Sequence, residues 1–164
     1  MEIKPVSNRL YALIVLYDMN TSFFISAIDG ISDEDAHQRL NTKANHIAWI
    51  SGSLVEERYE LAKLLGLDLK QTAHELFADH KGIQENETYP ALADFKKDWE
   101  KISPILRERL MQTTEEQLDK VLEFPGMSFP MFEMVSFNTY REANCIGQIA
   151  LWRRLLNYDA MKYM

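Results

Sequence analysis

The chain holds a single cysteine, Cys145, so it can form no intrachain disulfide, and a small secreted scaffold would normally carry several. A reducing cytoplasm is the simplest home. Glycine and proline are scarce, six and five residues, and fall mostly between periodic stretches, which favours long helices over a turn-rich β fold. No internal repeat or low-complexity tract interrupts them. Long apolar runs are also missing: Leu10 to Leu16 is far short of the ~20 residues that span a bilayer, which predicts no membrane partner. Met1-Glu2-Ile3-Lys4-Pro5 lacks the order of basic, apolar and small residues found in a secretory leader. Positive charge is in deficit. Eighteen Lys and Arg against twenty-five Asp and Glu leave a net charge of -7, and the pI near 5.1 argues against a nucleic-acid partner. There is no Gly-rich phosphate loop, paired-cysteine motif, nucleophile elbow or EF-hand loop.

What remains is an ordinary globular composition, 46% hydrophobic and 26% charged, in a length that suits one domain over 1–164. Leu10, Leu13, Tyr17, Phe24 and Ala27 or Ile28 predict a first helix from about Ser7 to Ile28, stopped by Gly30. Ser32 followed by Asp33, Glu34 and Asp35 reads as a cap with a carboxylate-rich first turn. Ile47, Ile50, Leu54, Leu61 and Leu64 predict a second long helix over Thr42 to Leu65, closed by Gly66, with Glu56, Glu57, Arg58 and Glu60 as its solvated face. The stretch from Leu67 to Tyr89 is less regular, with a helix near Leu69 to Ala78. Leu92, Phe95, Trp99, Ile102 and Leu106 mark a third helix after Pro90, kinked by Pro104 near Lys101. Thr114 to Gln117 has capping-box spacing, and Pro125-Gly126 predicts a small hairpin or extended crossover. A fourth helix runs from about Met131 to Asn157. Tyr158 to Met164 is too short to classify.

Four histidines and one thiol carry the candidate chemistry. His46 lies at the edge of the second helix one turn before Trp49, and such a lone histidine is more often hydrogen-bonded than functional. His74 and His80, six apart, would not share a helical face. Arg141 and Cys145, four apart, do share one, and a guanidinium there would favour the thiolate; a buried cysteine that packs as a small hydrophobe is the commoner outcome. Trp49, Trp99 and Trp152 suit either a pocket lining or a core. The apolar cluster Phe124, Met127, Phe129, Met131, Phe132 and Met134 suits a subunit interface or internal packing equally.

Asn45-His46-Ile47-Ala48-Trp49, together with Gly147-Gln148-Ile149 and Arg153-Arg154, resembles the DinB/YfiT-like superfamily across nearly the whole chain, including Tyr89-Pro90. The resemblance implies an all-α, up-down-down-up four-helix bundle, often dimeric, with a divalent metal held by three histidines. His46 matches one ligand position, while Arg141 and Cys145 occupy the other two. Arg141 has no lone pair to offer and would repel Zn²⁺ or Ni²⁺. The expectation is a degenerate site without metal, in which Arg141 pairs with a carboxylate or binds a small anionic ligand, with Trp49 and Asn138 nearby. The protein would then be a ligand-binding or interaction protein, as a homodimer. The alternative is a thiol S-transferase or related hydrolase using zinc or nickel on His46 and Cys145, completed by Glu142 or Asn138.

Overall fold

A computed structural model describes residues 4–163; Met1, Glu2, Ile3 and Met164 lie outside it, and with them most of the leader reading and the last residue of the C-terminal segment. The chain is mostly helical with one small antiparallel sheet. Ser7 accepts a bond from the Arg9 N–H and caps a 3-10 turn, Asn8–Leu10, that leads into α1, Tyr11–Ile28. Gly30, at φ 72°, ends the descent from α1. The Ser32 side chain accepts from the Asp35 N–H and opens α2, Asp33–Ala36. α3 spans Ile47–Leu64 and so begins later than the expected Thr42. Residues 40–44 form turns and bends, with Leu40 and Asn41 at left-handed φ values of 48° and 59°, and His46 supplies the cap. The end of α3 is a Schellman motif: Gly66, at φ 90°, donates to the Lys63 carbonyl and Leu67 donates to that of Ala62.

α4, His74–Phe77, is shorter than expected and passes into a 3-10 turn, Ala78–His80. α5, Leu92–Gln112, starts where Asp33 Oδ1 accepts from the Leu92 N–H at 2.9 Å, and it continues as one helix through Pro104. The Thr114–Gln117 capping box forms and opens α6, Glu115–Asp119. β1, Val121–Phe124, and β2, Met127–Pro130, pair antiparallel with Phe124 opposite Met127 across a turn in which Gly126 sits at φ 80°. α7, Met131–Leu155, closes on Asn157 at φ 65°, with Tyr158 donating to the Arg153 carbonyl.

The long helices α1, α3, α5 and α7 share one core: α1 packs on α7 and α5, and α3 packs on α5 and α7. Leu10, Ile14, Phe24, Leu54, Trp99, Ile102, Leu106 and Ile149 are fully buried in it. The apolar cluster around the hairpin divides. Met131 is buried and the Phe124 and Phe129 rings stack at 5.3 Å, whereas Met127 is 60% exposed at the tip.

The 21-residue helical stretch Asn8–Ile28, with an 18-residue window of mean hydropathy 1.4, is long and apolar enough by those two measures to cross a membrane, more than the Leu10–Leu16 run suggests. A third of that window is buried, and two of its polar groups are engaged by other helices. Asn20 donates its amide to the Thr139 carbonyl at 3.1 Å, and Asp18 takes a bidentate pair from Arg107 at 2.7 and 2.9 Å, groups that are expensive in lipid.

Candidate functional site

Arg58 is where the structure departs furthest from the solvated face expected on α3. Its side chain is 1% exposed, its guanidinium clasps Glu142 through two bonds of 2.6 and 2.9 Å, and its Nη1 donates to Thr21 and Ser103. The planar cation lies between the Trp99 and Tyr17 rings, 3.4 and 3.9 Å from their centroids. One residue therefore ties α3 to α1, α5 and α7. Four donor contacts of Arg58 meet protein partners, so this network holds the helices together.

The predicted site residues divide into two places. His46 sits at the N-cap of α3, where Nδ1 accepts from the Trp49 N–H at 3.1 Å, and its ring packs 5.2 Å from His37 and 5.3 Å from Tyr89. Burial, then the nearby charges of His37 and Arg39, lower its pKa to about 4, so it is neutral near pH 7. Arg141, Cys145 and Trp49 instead line a separate cavity of about 370 Å³ between α3 and α7, which His46 does not reach. Asn138 is buried one turn before Arg141, its Oδ1 without a hydrogen-bond partner among the described residues.

Residues that periodicity did not single out complete the contact. Arg141 Nη2 donates to Ser53 Oγ at 2.9 Å, and Nη1 stands 3.1 Å from Glu57 Oε1. Ser53 lies two turns beyond His46, so it is Ser53 and Glu57, four apart on α3, that face Arg141. Burial raises the Glu57 carboxyl, with Arg141 and His80 pulling the other way. The Cys145 thiol is also raised by burial, only partly offset by Arg141, so it is a packed thiol rather than a standing thiolate.

A larger groove of about 450 Å³ opens on the other side of Arg141, between α3 and residues 74–82. Gly52 creates this wall: a Cβ there would run into the Phe77 ring, so only glycine lets α4 lie against α3. Asp98 anchors the approach, accepting from the Thr72 N–H at 2.6 Å. Glu56, 6% exposed, accepts from Gln71 at 2.7 Å and bonds His74 Nδ1 at 2.6 Å. His74 and His80 both reach this groove although six apart, because Asp79 and His80 take φ values of 58° and 56° and turn the chain back.

The groove holds two kinds of chemistry. Trp49 Nε1 and Arg141 Nη1 are buried donors without an aligned acceptor among the described residues, and Glu56, Glu60 and His74 bring candidate metal ligands within 4.8 Å of one another. No protein-family model matches the chain, and no curated protein matches it.

Proposed function

We propose that the protein is a DinB/YfiT-like up-down-down-up four-helix bundle in which the position of the family's metal is taken by an ion pair, and that it binds a ligand or partner there without metal. One observation carries this reading: Arg141 lies between Ser53 and Glu57, 2.9 and 3.1 Å away, so its charge is matched by a carboxylate from α3. A guanidinium held in this way fills the space and opposes the charge of a divalent ion. His46 is seated elsewhere, with its Nδ1 committed to the cap of α3.

The ligand class that fits is small and anionic. Trp49 Nε1 and Arg141 Nη1 lack aligned acceptors among the described residues where the two cavities meet, and the oxygens of a carboxylate or phosphate would satisfy both. The homodimer draws support from Phe137, Tyr140, Leu151 and Leu155, each more than half exposed along the outer side of α7. The S-transferase alternative needs Arg141 swung off Glu57 and a Cys145 thiolate, against the burial that raises its thiol.

Zinc and nickel loading of the wild type, His46→Ala and Cys145→Ser, followed by elemental analysis after desalting, tests the reading. Metal that disappears in either variant would overturn it. Titration with acetate and inorganic phosphate, followed through the Trp49 indole N–H resonance, tests the ligand class; the expected shift is lost in Arg141→Gln.

A further inference from the structure

Glu56 and Glu60 stand one turn apart on α3, and His74 begins α4 on the facing wall of the 450 Å³ groove. One ligating atom from each lies within 4.8 Å of the other two. His74 Nδ1 already touches Glu56 Oε1 at 2.6 Å, while Glu60 has Lys63 at 4.0 Å as its ion-pair partner. An independent feature lies beside them. Gln71, 3% exposed, gives its amide NH₂ to Glu56 Oε2 and to the Gly52 carbonyl, and its Oε1 is left buried without a donor among the described residues. Two carboxylates and an amide oxygen here meet one imidazole, one amide group and, at 4.0 Å from Glu60, the Lys63 ammonium. Close carboxylates repel, and that repulsion is relieved by added positive charge.

We infer that Glu56, Glu60 and His74 bind one first-row divalent cation, of the Zn²⁺ type, in the wall of this groove. An imidazole with two carboxylate oxygens suits such ions better than Mg²⁺ or Ca²⁺, which take oxygen ligands. Bonds of about 2.0–2.1 Å in tetrahedral geometry set neighbouring ligands ~3.4 Å apart. Glu56 Oε1 and His74 Nδ1 start at 2.6 Å and part by about 0.8 Å as the cation displaces the proton between them, while Glu60, whose side chain is 42% exposed, closes by about 1.5 Å at most. Gln71 acts as a positioning residue that holds the second oxygen of Glu56. Three protein ligands leave a coordination position open to the groove, where His80 and Lys81 stand. This site shares no ligand with the Arg141 contact and does not depend on it.

Calorimetric titration of the full chain with ZnCl₂ in a non-chelating buffer tests the assignment. The expected result is one site per chain, weakened at least tenfold in Glu60→Gln and in His74→Ala and unchanged in His80→Ala. Glu60 is half-exposed, so its variant folds, and circular dichroism verifies that for both. No binding to the wild type, or equal binding by Glu60→Gln and His74→Ala, would overturn the site. Binding lost in His46→Ala or Cys145→Ser instead would overturn both this site and the ion-pair reading of Arg141, whereas failure to bind at all leaves the latter standing.

Discussion

Replacing Glu142 by leucine removes the carboxylate from a guanidinium that has no route to water and no means of losing its charge. Arg58 is 1% exposed and Glu142 4%, so solvent screens neither, and the expected cost is about 3–5 kcal/mol. Arg58→Met leaves the Glu142 carboxylate stranded at a similar cost. At about 2–4 °C per kcal/mol for a chain of this length, each single variant should melt roughly 6–20 °C lower. The double variant should recover most of the loss, because an apolar pair of similar volume demands no counter-charge. Few other groups are orphaned by the exchange: Thr21 still donates to the Tyr17 carbonyl at 2.8 Å and Ser103 to that of Trp99. Urea denaturation of the four proteins closes the cycle and should return a coupling of about 3 kcal/mol or more. Single variants that each cost less than about 1 kcal/mol, or a double variant equal to their sum, would refute the reasoning that this pair is the keystone of the four long helices.

Two other outcomes are expected. His46 has a folded pKa lowered from 6.5 to about 4, so unfolding takes up a proton; its contribution is complete above pH 6.5 and is lost as pH falls toward 4, by at most about 3 kcal/mol. His46→Asn keeps a side-chain cap for α3 but removes the titration, so chemical denaturation between pH 4 and 6.5 should show a flatter stability profile than the wild type; an unchanged slope refutes the assignment. Gly52→Ala would press a methyl into the Phe77 ring and to 2.7 Å from Phe95, and the expected loss is about 1–3 kcal/mol by urea denaturation, with a shift in the Phe77 ring resonances. Full stability would mean that α4 moves freely on α3.

Local chemistry made most element ends legible. Ser32, the Thr114–Gln117 box, Gly66 and Pro125-Gly126 act on their own backbone neighbours, and each performs in the structure as its residue type predicts. The start of α3 was less legible. The sequence reading starts it at about Thr42, ahead of the apolar stripe that begins at Ile47, whereas turns and bends run over 40–44 and the His46 cap opens the helix. The polar residues of α3 were misjudged for a different reason. A single apolar stripe implies one buried face, whereas 13 of its 18 residues are buried because α5, α7 and the segment around Gln71 and Phe77 enclose it.

The candidate site divides along the same line. Spacing alone placed Arg141 and Cys145 on one face of α7, since four residues make slightly more than a turn whatever surrounds the helix. Sequence by itself thus determined the four long helices, the caps at Ser32 and Thr114, the stop at Gly66, the turn at Pro125-Gly126 and the presence of a cation beside a thiol. Only the tertiary structure decided what that cation meets. It turned His46 toward His37 and Tyr89, brought Ser53 and Glu57 to Arg141, buried Arg58 against Glu142, and set Glu56 and Glu60 beside His74. Ser53 and Arg141 are 88 residues apart, Arg58 and Glu142 84, and Glu56 and His74 18, and a charge's partner across such a distance depends on how helices pack rather than on any local pattern.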